Sequence, residues 1–259
     1  MDQLGYKCCY ESEYKVKKLK TIAFDADDTL WVNEPIFTAT HSRFVAILEK
    51  YESAEVLDKG LYETQIKNLR LFGYGIKGFT LSMIETALEL THGRISGDEI
   101  QQIIGFGKDM LEHPVEVLPH VENTLKVLQA DYDLMVITKG DLFDQESKLA
   151  RSGLAGYFNR VEIISEKDTA TYQKVLRRHN IQLPHFLMVG NSLKSDILPI
   201  CELGGRAIHI PFHTTWAHEM VAPEKMAHVQ YEVLTCVSEI PERVQYIFKS
   251  DPHQQVTPA

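Results

Sequence analysis

The stretch Phe24-Asp25-Ala26-Asp27-Asp28-Thr29-Leu30 places three carboxylates directly behind a short apolar run. Such crowding of like charge is costly without a cation to offset it. Side chains two apart in extended chain point the same way, so Asp25 and Asp27 can face one site while Asp28 faces elsewhere. Two carboxylates and the Thr29 hydroxyl are hard oxygen donors of the kind Mg²⁺ takes. The competing reading is structural, with Asp27, Asp28 or Thr29 satisfying the free N–H groups of a helix start.

Further polar residues close later apolar runs. Residues 134–137 lead into Thr138-Lys139-Gly140, residues 161–164 into Ser165-Glu166-Lys167-Asp168, and residues 186–189 into Gly190-Asn191-Ser192 with Asp196 beyond. Together with residues 21–24 and 207–210, these runs are rich in Val, Ile, Phe and Met and mostly apolar rather than alternating. Strands of that kind are covered on both faces, and the helical periodicity between them supplies the cover. The expected fold is α/β, a doubly wound, Rossmann-like parallel sheet. Open sheets of this class bind ligands at the carboxyl ends of their strands, so the polar clusters converge there. A hydroxyl, a lysine and oxygen donors around the first acidic pair suit a phosphate with its metal.

Between the first two runs lie roughly 100 residues, far more than one crossover helix needs. Apolar residues recur there at helical spacing, through Phe44, Ile47, Leu48 and Tyr51, then Leu61, Ile66, Leu69 and Phe72, then Leu81, Ile84, Leu88 and Leu90, then Ile100, Ile103 and Ile104. Residues 33–115 therefore read as an all-helical insertion. Gly73, Gly75 and Gly78 mark its most flexible turn, and His113-Pro114 and Leu118-Pro119 mark the return to the sheet. The domain reading is a tail at 1–19, a core at 20–32 and 116–259, and the insertion at 33–115.

The polar clusters, taken in order, resemble the four motifs of the haloacid dehalogenase-like hydrolases, most of whose members are phosphatases. Asp25-Ala26-Asp27-Asp28-Thr29 is similar to the first motif, Thr138 to the second, Lys167 to the third, and Gly190-Asn191-Ser192 with Asp196 to the fourth. The resemblance covers about residues 20–211 and implies a helical cap at 33–115. It further implies that Asp25 is a nucleophile forming an aspartyl-phosphate, and that Asp27 gives a proton to the leaving oxygen and later takes one from water. Thr138 would hold phosphoryl oxygens and Lys167 would neutralise charge on nucleophile and phosphate. Mg²⁺ would be held by Asp25, the Asp27 carbonyl, Asn191 and Asp196. Lys167, ahead of its helix, is preferred over Lys174 further along. Lys139 reads as a substrate contact at the rim or an exposed loop lysine. Lys77, with Tyr74 and Phe79, is the expected substrate contact from the cap, with packing as the alternative for the aromatics.

Two departures from the family pattern matter. Asn191 stands where Asp is common, which predicts weaker metal binding and greater reliance on Asp196. Asp28 stands where many relatives have Gly, and a supporting part is assigned to it. The expected activity is Mg²⁺-dependent hydrolysis of a small phosphorylated metabolite. One alternative is 2-haloacid dehalogenation, in which the carboxylate attacks carbon; those relatives carry a non-acidic residue, often Tyr, where this chain has Asp27. The other is a binding or regulatory protein that has lost turnover.

The 259 residues, 44% hydrophobic and 24% charged, fit an ordinary globular protein rather than a fibrous, disordered or disulfide-built one. Net charge is −9, which opposes nonspecific attraction to nucleic acid or anionic membrane. The longest apolar run, residues 44–48, falls far short of the roughly 18 residues of a bilayer span. The charged start leaves no room for a secretory signal, Lys15, Lys17, Lys18 and Lys20 read as a solvated approach to the first strand, and a cytoplasmic location is expected. Cys8, Cys9, Cys201 and Cys236 include no CxxC pair and read as reduced structural thiols. His209, His213 and His218 around Trp216 read as ordinary histidines, since Pro211 interrupts the segment. A monomer or homodimer acting on a small phosphate ester is expected.

Overall fold

Every residue of β1 (Thr21–Phe24) is buried, because the strand lies at the centre of the sheet with a parallel neighbour on each side. The computed structural model describes residues 20–249; the 1–19 tail, with Lys15, Lys17, Lys18, Cys8 and Cys9, lies outside the described residues. β2 (Asp133–Lys139), β3 (Arg160–Ile164), β4 (Phe186–Gly190), β5 (Arg206–His209) and β6 (Glu232–Val233) complete a six-stranded parallel sheet in the order β3-β2-β1-β4-β5-β6. The chain leaves β1 for β2 and β3 on one side and crosses back to β4 on the other, so the switch point lies beside β1.

Alternate side chains on each central strand enter opposite cores. Ile22, Phe24, Leu134, Val136, Leu187 and Val189 share one apolar cluster, while Ala23, Met135, Ile137, Phe186 and Met188 share the other. α5 (Val121–Leu128) and α9 (Ile240–Lys249) cover the first face, and α7 (Thr169–Arg178) and α8 (Leu198–Glu202) cover the second. α6 (Leu142–Arg151) joins β2 to β3. This double cover explains why the central strands β1, β2 and β4 read as nearly unbroken apolar runs. Leu134→Ala would open a cavity at a fully buried position, at a cost of about 2–5 kcal/mol.

Four helices fill the connection between β1 and α5: α1 (Glu34–Leu48), α2 (Ala54–Phe72), α3 (Ile76–Leu90) and α4 (Gly97–Glu112). Local signals set their starts. Pro35 occupies the first turn of α1, the Ser53 hydroxyl caps α2, and Ser96 with Glu99 forms a reciprocal capping box on α4. They bury a cluster of their own that includes Phe44, Leu57, Leu61, Met83 and Ile103. On α3 the buried face is Phe79, Met83 and Ala87, whereas Leu81 and Leu88 are exposed, so the expected register there is displaced. Gly78 lies inside α3, where an added Cβ would come within 2.9 Å of the Gly73 carbonyl. The outgoing and returning chains run side by side, with Val32 N donating to Glu116 O and Leu118 N to Leu30 O, both at 2.9 Å. Among the described residues no helix is long and apolar enough to cross a membrane. Cys201 and Cys236 are free thiols.

Candidate active site

Asp25 follows β1 directly, and its N–H donates to Val189 O at 2.9 Å, which holds it in line with β4. A tight turn follows, with Leu30 N donating to Ala26 O at 2.8 Å and Asp28 N to Trp31 O at 2.7 Å. Asp28 takes φ 60°, the left-handed region that favours glycine. Its carboxylate offsets that strain by accepting Asn33 N at 2.8 Å and Glu34 N at 3.0 Å, which caps the start of α1. Both readings of the acidic triplet therefore hold, for different residues. Asp25, Asp27 and Asp28 all line the cavity, so Asp28 does not face elsewhere as its spacing suggested, and Asp28 also tethers the insertion.

Lys167 is buried and bonds Asp25 directly, while its Nζ also donates to Asp196 Oδ1 at 2.7 Å. Asp168, capping α7 through Thr171 N at 2.7 Å, fixes the loop that carries it. Lys174 is exposed on α7. Asp196 belongs to a single π-helical turn, Leu193–Ile197, and accepts Ser192 N at 3.0 Å through its other oxygen. Gly190 is required here, since a Cβ would fall 2.2 Å from Asp196 Oδ2. Burial opposes charge on Lys167, but Asp196 and Asp25 outweigh it and raise the ammonium above the ordinary lysine range. Burial pushes Asp25 up to about 7 against the pull of Lys167, with Asp196 and Asp27 adding to the rise.

Thr138, buried at the end of β2, lines the same cavity. Lys139 follows, and its Nζ donates to Ser195 Oγ at 2.8 Å and Glu219 Oε1 at 2.7 Å. Burial would raise Glu219, but Lys139 and the hydroxyls of Ser192 and Ser195 bring it down to about 2. Lys139 also stands 4.2 Å from the centre of the Tyr74 ring, and the Tyr74 hydroxyl donates to Glu166 Oε2 at 2.8 Å. Tyr74 meets Trp216 edge-on at 6.2 Å, so the turn between α2 and α3 touches the core at the site.

The cavity between insertion and core has a volume of about 390 Å³. Phe37, Leu61, Gln65, Asn68 and Phe79 line it from the insertion, opposite Asp25, Thr138 and Lys167. Tyr74 and Phe79 line it, whereas Lys77 lies outside the lining and pairs with Asp141 at 2.9 Å across the insertion and core. The histidines face separate partners. His209 Nε2 lies 2.9 Å from Asn191 O, His218 Nε2 lies 3.0 Å from Lys194 Nζ, and the His213 ring lies tilted at 40° against Phe212.

Among the described residues no group of three His, Cys, Asp or Glu side chains is arranged to hold a metal. The donors are instead mixed. Thr29 Oγ1 lies 3.2 Å from Asp25 Oδ2 and 3.4 Å from Asn191 Oδ1, and one hydroxyl proton cannot serve both. Those two oxygens both lie beside the Thr29 hydroxyl at the cavity wall with acceptor capacity left over, and they are hard donors that fit Mg²⁺. Asp196 has both oxygens engaged already, by Lys167 and Ser192 N.

Sequence reasoning missed Gln145, Lys148, Trp31, Glu219 and Ser195, all in bonds at this site. The one available signal was the position of Glu219 beside the Trp216–His218 aromatics.

Residues 19–202 match the family model "Hydrolase: haloacid dehalogenase-like hydrolase". The chain is 38% identical to a haloacid dehalogenase-like family hydrolase from Xanthomonas campestris, with TM-score 0.81 over 92% of this chain and 95% of that one. It is 27% identical to the pyrimidine 5'-nucleotidase YjjG of Escherichia coli over 80% of this chain and 90% of that protein. It is 30% identical to the pyrimidine 5'-nucleotidase PynA of Streptococcus pneumoniae over 43% of this chain, an alignment spanning 49% of that relative. A 2-haloacid dehalogenase from Pseudomonas syringae shares the fold at 24% identity and TM-score 0.57, with 88% of this chain and 99% of that one covered.

Proposed function

The chain belongs to the haloacid dehalogenase-like hydrolase family, and on that premise we propose that it is a Mg²⁺-dependent phosphatase acting on a small phosphate ester through an aspartyl-phosphate. The observation that carries the reading is the meeting of Asp25, Asp27 and Lys167 around one cavity, with the polar ends of four strands gathered about it. Asp25 attacks phosphorus, while Thr138 and neighbouring N–H groups hold the phosphoryl oxygens. Lys167 offsets the charge that moves between nucleophile and phosphate, in a pocket dry enough for that charge to count. Asp27 gives its proton to the leaving oxygen and recovers one from the water that hydrolyses the acyl phosphate. Asp25, the Asp27 carbonyl and Asn191 would hold Mg²⁺, with Asp196 supporting; the ion supplies charge neutralisation and orientation of the phosphate. Lys139, bonded to Glu219 and Ser195, orders the phosphate side of the cavity.

The helices at 33–115 act as the cap, which excludes water and receives the leaving group. A ring-sized apolar lining with the amide group of Gln65 suits a nucleoside, and the nucleotidase relatives support a nucleoside 5'-monophosphate as substrate. The location is cytoplasmic, the partner is the ester alone, and the protein is a monomer or homodimer.

Dehalogenation is the lesser reading, favoured by Asn191. A leaving halide needs no proton, however, and Asp27 would then have no task. Metal-dependent phosphate release, abolished in Asp25→Asn, is the expected result; halide release from a 2-haloacid in its place would refute it, and neither activity would indicate a binding protein.

A further inference from the structure

Asp27 is held from one side by a set of donors outside the four motifs. Trp31 Nε1 donates to Oδ1 at 2.8 Å, Lys148 Nζ to Oδ1 at 3.0 Å, and Gln145 Nε2 to Oδ2 at 2.8 Å. A carboxylate oxygen has two acceptor positions, so Oδ1 is filled and Oδ2 keeps one. We propose that Lys148 and Gln145 are positioning residues, Lys148 closing Oδ1 together with Trp31 and Gln145 aiming Oδ2, so that Oδ2 alone carries the proton, an inference that rests on the phosphatase reading. The proton then leaves Oδ2 for the ester oxygen as the P–O bond breaks. It returns to Oδ2 from the water that attacks the phosphoryl group of Asp25.

The surroundings are built for that task. Gln145 and Lys148 stand three residues apart on α6 and so share one face, and both are buried. Gln145 Nε2 also donates to Lys139 O at 2.8 Å, which fixes the amide with its nitrogen toward Asp27. Its Oε1 is buried with no partner, a cost accepted to keep that orientation. Gly140 has φ 145°, and a Cβ there would come within 2.9 Å of Gln145 Nε2, so only glycine lets the amide pack this closely. Lys148 further donates to Asn33 Oδ1 at 2.9 Å and lies 3.6 Å from Asp144. Asn33 is the residue at which the insertion begins, so the same ammonium binds the proton donor to the base of the cap. Burial opposes its charge, but Asp27 and Asp144 more than compensate and raise it.

The test compares kcat and KM for an aryl phosphate, whose leaving group departs without a proton, and an alkyl phosphate, whose leaving group needs one. With Mg²⁺ present, Lys148→Met should lower kcat for the alkyl ester about 100-fold or more, and at least about tenfold more than for the aryl ester. KM should stay within about threefold, and in an Asp27→Asn background Lys148→Met should add almost nothing further. Equal losses on both esters, or losses that multiply with Asp27→Asn, would overturn the proposal. Gln145→Met, with the same asymmetry expected at smaller size, serves if Lys148→Met does not fold. A wild-type protein that hydrolyses neither ester would overturn the phosphatase reading itself and this inference with it.

Discussion

Lys167 and Asp196 meet 2.7 Å apart beneath Asp25, both with almost no contact with solvent. A buried ion pair broken by removing one partner is costly, because the other charge remains unpaired. Lys167→Met leaves Asp25 and Asp196 facing each other and should destabilise the protein by about 3–5 kcal/mol near neutral pH. Protonation of a carboxylate relieves that repulsion, so the loss in Tm should be larger at pH 8 than at pH 5.5. Thermal melts at the two pH values check this, and an equal loss at both would contradict it.

Glu34 lies at the cavity wall, and burial, with Asp28, Asp27 and Glu219 adding repulsion, pushes it up to about 7. A folded-state value above the unfolded one means that folded protein binds more protons between about pH 4.5 and 7. Its contribution is therefore complete below pH 4.5 and lost as pH rises through 7. Glu34→Gln should raise stability at pH 8 by at most about 3 kcal/mol, solvent screening reducing the figure, and leave it nearly unchanged at pH 4.5. Urea unfolding at both pH values measures the difference.

Asn191 contributes an uncharged oxygen beside Thr29, whose hydroxyl also reaches Asp25. Asn191→Asp should lower the Mg²⁺ concentration for half-maximal activity several-fold, and isothermal titration with Mg²⁺ should show the same direction. No change, or a rise, would contradict a role for this oxygen in holding the ion.

Among the described residues that line the cavity, the insertion contributes Glu34 and Asp58 and no lysine or arginine. Anionic leaving groups should therefore be poor, and kcat/KM for a nucleoside 5'-monophosphate should exceed that for phosphoglycolate by about tenfold or more, one like-charge contact being enough for that ratio. Lys77→Ala should leave relative rates across such a panel unaltered, since Lys77 pairs with Asp141 outside the lining.

The central strands were legible because double cover strips polar residues from them; β6, two residues at the sheet edge, carries no such pattern. Asp25, Thr138 and Asp196 were legible because they stand at or just beyond the ends of the buried strands β1, β2 and β4, where a polar residue is conspicuous, and Lys167 because it follows the apolar residues that end β3. Gln145 and Lys148 were not. On a helix with two acidic neighbours they look like any solvated face, and only the packing of α6 against the first turn gives them Asp27 as a partner. Glu219 hides in the same way, in a short 3₁₀ turn whose loop position gives no hint of Lys139. The helices at 33–115 were legible from periodicity, but on α3 threonine, serine and alanine share the buried face, and apolar spacing alone selected the wrong side.

The central claim is covalent. In a rapid acid quench within the first turnover with Mg²⁺ and a nucleoside 5'-monophosphate, peptide mass spectrometry should find a phosphoryl increment on Asp25 that disappears as turnover completes. Phosphate release with Asp25 unmodified at every time point, or undiminished turnover in Asp25→Asn, would contradict the account.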